Sequence, residues 1–245
     1  MPTESEKERY KRSSKEIKPQ TKMLKRKIDL YGDPQRYVIR NQTRGKIDKR
    51  VLHRIPMDRK DIFRSDIVMD DKPLDVCLLV DESGSMGSYM DNARKSCIAV
   101  KEALEENEKL NLWVMGHTAD GMNWHTNPYS TNMTVYKSPK ITDRPFAIGS
   151  MRARCENRDG NAILAAAGRV KEETDSPMSN KLMIIVSDGA PAAIGYGGSS
   201  GMDHVAKVVR GLEAKGWAVI QVGFGGASYQ DRMFKNHIYI GNTQH

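Results

Sequence analysis

The sequence is short of several things, and each shortage narrows what it can be. Only three of its 245 residues are cysteine, Cys77, Cys97 and Cys155. An odd set of three does not form a disulfide framework, so a buried core must hold the fold and a reducing cytoplasm is the expected compartment. No apolar run reaches 18 residues and no signal-peptide core opens the chain, so neither a membrane span nor secretion by that route is expected. The Gly-x-x-x-x-Gly-Lys-Ser/Thr pattern is absent, which excludes ATP binding by that loop. There is no internal repeat, no RNA-binding signature and no alternation of aromatic with basic residues. No nucleophile–base pair stands out, so catalysis by this chain alone is not expected.

Acid is scarce in one region only. Residues 1–60 hold nineteen Lys and Arg against eight Asp and Glu, a surplus of eleven, while the whole chain is +8; the remainder is therefore −3. Residues 1–28 are polar with few apolar anchors, which predicts a basic tail that is disordered or helical only when bound. In residues 29–70, Leu30-Tyr31, Tyr37-Val38-Ile39, Val51-Leu52, Ile55-Pro56 and Ile62-Phe63 are expected to pack on the core. Residues 71–245 then form the main domain. A basic extension of this kind can meet nucleic acid or an acidic partner; a solvated or docking arm is the plainer expectation.

What the chain has is alternation of short apolar runs with helical patterns. Residues 76–80, 112–116, 133–136, 182–186, 217–222 and 237–240 read as strands. Between them, 89–106 repeats its apolar residues (Ala93, Cys97, Val100, Ala103, Leu104) at helical spacing. Residues 144–151, 161–173, 202–215 and 229–235 are further predicted helices, with Gly216 ending the third of these. Strands alternating with helices predict an α/β fold: a doubly wound, mostly parallel sheet flanked by helices, with a basic N-terminal extension. Cys77 and Cys97 are then core thiols. The glycine-rich stretch 195–201 is expected to be a mobile rim.

The first strand runs into Asp81-Glu-Ser83-Gly-Ser85. A carboxylate and two hydroxyls at alternate positions, at the carboxyl end of a strand, can offer three hard oxygens to one small cation. Such a set suits Mg²⁺ or Mn²⁺ better than zinc or copper. Two further loops carry carboxylates at element boundaries: Asn157-Arg158-Asp159-Gly160 before a helix, and Ser187-Asp188-Gly189 after a strand. Each has a plainer reading, as helix caps for Ser83, Ser85 and Asp159 and as a strand-ending turn for Asp188. The three together favour metal binding. His117 and His125, with Asp120 between them, offer a conceivable zinc pair, but the plainer expectation is that they are surface-loop residues. Trp113, Trp124 and Trp217 read as core or rim packing.

With these motifs in place, about residues 70–240 resemble a von Willebrand factor A (VWA) domain with a metal-ion-dependent adhesion site. Residues 157–163 and 183–191, with the lead-in 44–71, are more narrowly similar to the C-terminal domain of the large cobaltochelatase subunit. In the wider family the second loop supplies Thr; the cobaltochelatase branch, like this chain, has Asp there. The resemblance implies that Asp81, Ser83, Ser85, Asp159 and Asp188 hold Mg²⁺ or Mn²⁺, with Asp81 acting through water or hydrogen bonds. It further implies an open coordination position completed by a partner's carboxylate. The partner it implies is a ring-forming AAA+ ATPase of the MoxR or chelatase type, for which the chain is an adaptor or recruiter. A chelatase subunit inserting cobalt or magnesium into a tetrapyrrole is the alternative; the chain's small size and the absence of the branch's acidic region weigh against it. A nucleic-acid-binding protein using residues 1–60 is the third reading.

Overall fold

A computed structural model describes residues 3–32, 36–42, 46–51, 61–68, 72–119, 130–176, 178–224 and 230–240. The chain divides into two compact units, Met1–Lys25 with Pro73–His245, and Arg26–Lys72. Helix α1 (Glu4–Glu16) opens the first, and α2 (Lys18–Gly32) carries the chain from one unit into the other. In the second, β1 (Arg36–Gln42), β2 (Lys46–Ile47) and β3 (Phe63–Val68) form an antiparallel sheet in the order β1-β3-β2. This differs from the expected division at residues 28 and 70. The first 25 residues belong with the main domain, and 26–72 form a unit of their own.

Residues 1–28, expected to be disordered or helical only when bound, contain α1 and the first turns of α2. Thr3 and Glu6 close a reciprocal capping box that starts α1. Tyr10, 4% exposed, is the anchor that the composition understated. Its ring meets Phe146 edge-on at 5.3 Å and its hydroxyl donates to Glu102 at 3.2 Å. Gly149 permits this docking, since a Cβ there would lie 2.2 Å from the Glu6 carbonyl oxygen. Few apolar residues suffice when a well-placed aromatic and a cap act together.

The main domain continues with β4 (Leu74–Asp81), α3 (Met90–Leu104), β5 (Leu110–Ala119), β6 (Thr131–Lys137), α4 (Asp159–Glu173) and β7 (Asn180–Ser187). The short pair β8 (Ala192–Ala193) and β9 (Tyr196–Gly197) follows, then α5 (Gly198–Glu213), β10 (Trp217–Phe224), α6 (Gln230–Met233) and β11 (His237–Ile240). Six strands pair in the order β11-β10-β7-β4-β5-β6; all are parallel except β6, which runs antiparallel to β5. On one face, Cys77, Leu79, Trp113, Met183, Ile185 and Val219 meet the inner sides of α4 and α5. Period-two alternation sends Leu78, Val80 and Val114 to the other face, where α3 lies against β5. Burial on both faces is why these strands read as continuous apolar runs.

Three local expectations give way. Residues 144–151 form only a single 3-10 turn, Ala147–Ser150, whose Gly149 seats α1. Residues 195–201 are a hairpin and the first turn of α5 rather than a loose rim; Gly195 and Gly198 adopt φ of 65° and 55°, which only glycine takes without strain. His117 lies inside β5, fully buried, and not on a surface loop. Asp120, Trp124, His125 and the turn at 225–227 lie outside the described residues. Cys77 and Cys97 are buried thiols, both pushed up to about 12 by that burial. No helix among the described residues is long and apolar enough to cross a membrane.

Candidate functional site

The three motif loops converge at the carboxyl ends of β4 and β7 and the N-terminus of α4. Asp81 is the last residue of β4 and is fully buried. One of its oxygens accepts from the Ser83 backbone N–H at 2.8 Å. The other accepts from Ser187 Oγ and Asn157 Nδ2, each at 3.1 Å. Ser83 precedes the 3-10 turn Gly84–Ser88 without capping it through its side chain. Its hydroxyl instead lies 3.0 Å from that of Ser85, and Ser85 Oγ donates to Asp188 Oδ1 at 2.9 Å. The capping reading therefore does not describe these serines.

Asp159 begins α4, with Arg158 as the residue before it, so it too is no conventional cap. Its Oδ2 accepts from Asn157 Nδ2 at 3.0 Å. Thus all five predicted residues, Asp81, Ser83, Ser85, Asp159 and Asp188, belong to one network, joined directly or through Asn157. An open hollow of about 390 Å³ lies over it, lined by Ser83, Ser85, Cys155, Asn157, Asp188 and Ala192 among others.

Backbone pairing explains why the loops stay together. Ala119 N donates to Glu156 O at 2.7 Å and Glu156 N to Ala119 O at 3.1 Å. Asn157 N then donates to Ala192 O at 3.1 Å, and Ala192 N returns a bond to Asn157 Oδ1 at 2.8 Å. The second loop is therefore zipped between the end of β5 and the start of the β8–β9 hairpin. At the hairpin tip the Tyr196 hydroxyl accepts from Gly160 N at 3.1 Å and pairs with His204 Nδ1 at 2.8 Å. A Cβ on Gly160 would come within 2.6 Å of that hydroxyl, so glycine is required for this contact. Burial pushes the Tyr196 phenol up to about 12.

Beneath the first loop, Glu82 is fully buried, takes a bond from the Tyr136 hydroxyl and has Arg154 Nε at 3.5 Å. Gly116 leaves room for it, because a Cβ there would lie 2.6 Å from the Glu82 carboxyl carbon. Glu82 O also accepts from Arg154 N at 2.6 Å, tying the second loop to the first.

The electrostatics of the network are adverse. Burial holds Asp159 well above the ordinary carboxylate range, and the charges of Asp81 and Asp188 push it further the same way. Asp81 and Asp188 are raised as well, again chiefly by burial. Among the described residues no ion pair joins Asp81, Asp159 or Asp188 to a lysine or arginine. Among the described residues Asp159 Oδ1 has no hydrogen-bond partner. Its nearest basic neighbour is His117 Nε2 at 3.6 Å, on a ring that burial lowers to about 4 and therefore keeps neutral. Among the described residues no three His, Cys, Asp or Glu side chains form a metal cage by themselves. The five predicted residues supply three carboxylates and two hydroxyls, and Ser187 adds a third hydroxyl.

Asn157, Ser187 and His117 are site residues that the motif reading did not single out. Asn157 and Ser187 stand within the motif strings, and their polar type two residues and one residue before an acid was a usable signal. His117 gave none, because its place follows from the register that pairs it with Asp81 across β4 and β5.

No family model matches the chain. The uncharacterized protein YojO of Bacillus subtilis (strain 168) is 24% identical over 242 residues, covering 96% of this chain and 37% of YojO. The chain thus spans little more than a third of that relative. Among solved structures, the VWA domain of SpRpn10 aligns with a TM-score of 0.51 at 13% identity, covering 71% of this chain and 90% of that domain. Manganese-loaded Plasmodium vivax TRAP protein aligns with a TM-score of 0.49 at 14% identity, over 69% of each chain. The mostly parallel six-stranded sheet with helices on both faces is a VWA-type fold.

Proposed function

We propose that the chain is a protein-binding module whose binding depends on a divalent cation, Mg²⁺ or Mn²⁺, held by Asp81, Ser83, Ser85, Asp159 and Asp188. One observation carries this reading. Three carboxylates and three serine hydroxyls gather at the end of the sheet, each acid is pushed toward protonation, and Asp159 Oδ1 is left without a partner. Crowded buried carboxylates are costly unless a proton or a cation offsets them. Hard oxygens fit Mg²⁺ or Mn²⁺. Since the described residues form no cage of three acids, water and hydroxyls would complete the shell, and the ion would keep enough charge to attract a partner's carboxylate. Ser85, exposed, and Asp188, half-buried, face the hollow from which that carboxylate would come.

The similarity to the large cobaltochelatase subunit supplies a candidate partner, a AAA+ ATPase of the MoxR or chelatase type. No observation favours a tetrapyrrole or a nucleic acid. In α1, Lys7 and Arg12 already pair with Glu4 and Glu16.

Titration of MgCl₂ or MnCl₂ into EDTA-stripped protein tests the cation. Heat and a raised melting temperature are expected for the wild type, with neither for Asp188→Ala. No response at millimolar cation overturns the reading. Capture from host lysate with Mg²⁺ or EDTA tests the partner. A AAA+ ATPase retained only with Mg²⁺ and intact Asp188 is the expected result; retention indifferent to both removes the site from partner binding.

A further inference from the structure

We propose that His117 is a positioning residue for Asp159, and that cation binding closes a hydrogen bond between them; this rests on the cation reading above. His117 is fully buried near the end of β5, and neither ring nitrogen has a hydrogen-bond partner among the described residues. Asp159 Oδ1 is equally unpartnered. The two unpaired atoms face each other, with Nε2 3.6 Å from Oδ1. A charge-assisted N–H···O⁻ bond needs about 2.8 Å, so the gap is too long for a bond and too short for an intervening water. Buried polar atoms without partners are few in native proteins, and each calls for a reason.

The other edge of the carboxylate is where a cation would act. Asp159 Oδ2 accepts from Asn157 Nδ2 at 3.0 Å, and the same amide nitrogen donates to Asp81 Oδ2 at 3.1 Å. A neutral amide therefore bridges the two acids. A cation that draws on Asp159 Oδ2 competes with that amide. A turn of the carboxylate toward an ion would shift Oδ1, and closing the bond requires that shift to be toward Nε2 of His117.

The backbone that carries the ring is held by the sheet. The His117 carbonyl accepts from Glu82 N at 2.8 Å, and the residue sits in register with Asp81. A neutral imidazole protonated at Nε2 orients Asp159 without cancelling its charge, which stays available to the ion. A lysine or arginine in the same place would satisfy Oδ1 but displace the cation.

The test uses the full chain stripped with EDTA and Mg²⁺ alone as the probe. His117→Gln keeps an N–H near the position of Nε2, whereas His117→Leu fills the space without a donor. Calorimetry is expected to give His117→Gln an affinity within about 2-fold of wild type and His117→Leu one about 10-fold weaker. In ¹⁵N-histidine-labelled wild type, Mg²⁺ is expected to shift the His117 Nε2–H proton downfield and slow its exchange with water. This shift is read on the wild type, so it remains informative if His117→Leu fails to fold. Equal Mg²⁺ affinity in wild type and His117→Leu, or a His117 signal indifferent to Mg²⁺, overturns the assignment while leaving the cation site standing. A wild type that takes up no Mg²⁺ overturns both.

Discussion

Asp75 and Asp81 lie on the same face of the same strand, both fully buried, in opposite surroundings. Asp75 accepts from Asn111 Nδ2 at 2.9 Å, Thr174 Oγ1 at 2.7 Å and the Ser179 hydroxyl, and Lys181 Nζ stands 3.9 Å away. Asp81 has its own donors but shares its surroundings with Asp159 and Asp188, and no lysine or arginine pairs with any of the three among the described residues. Helix α4 links the two ends: its first residue is Asp159, and Thr174, which follows its last turn, is a donor to Asp75. A buried carboxylate given hydrogen bonds and a cation from its own chain pins a fold. A set of them given hydroxyls and left short of positive charge is ready to take that charge from outside.

Removing the pin should have the largest effect. Asp75→Ala removes the acceptor shared by Asn111, Thr174 and Ser179 and the carboxylate 3.9 Å from Lys181, a loss of about 3–5 kcal/mol of stability. Urea denaturation reads it directly, and a loss below about 1 kcal/mol would show that Asp75 is not the anchor described. At the other end, saturating Mg²⁺ at about 100 times its dissociation constant should add about 2.7 kcal/mol. The same addition should do little to a folded Asp188→Ala variant.

The sign of a third substitution separates the two acids further. Without metal, Asp159→Asn relieves repulsion and should leave stability unchanged or raise it by about 1 kcal/mol, whereas Asp75→Asn lowers it. Because burial raises Asp159 in the folded state, its contribution favours folding when protonated. That contribution is present below the ordinary carboxylate range and is lost as pH rises through the raised value. The stability difference between wild type and Asp159→Asn, followed in EDTA from about pH 7 down to about pH 5, should therefore move toward wild type on acidification. A flat difference would mean that Asp159 is not raised. The smallest effect is expected for Tyr196→Phe, which gives up the bonds to Gly160 and His204 at the hairpin tip and should cost about 1 kcal/mol. If Mg²⁺ affinity fell with it by more than about 5-fold, the hairpin would be holding the site itself and not merely its edge.

The legible parts of this protein are those whose signal is local. The apolar runs at β4, β5, β7 and β10 announce strands buried on both faces, and the helical spacing of Ala93, Cys97 and Leu104 announces α3. Asp81, Ser83, Ser85, Asp159 and Asp188 could be singled out because each stands at an element boundary. The docking of α1 could not, since it depends on one tyrosine meeting Phe146 and on Gly149 having no side chain.

Composition and periodicity alone determined that the chain is an α/β protein with acid and hydroxyl groups at its strand ends, because burial on a pleat or a helix imposes a repeat along the chain. Tertiary structure alone decided that Asn157 would bridge two acids, that His117 would face Asp159, and that Asp75 would be paired while Asp81 was left among like charges. Those outcomes depend on strand register and on which loops meet at the end of the sheet, and such distances through space have no period along the sequence.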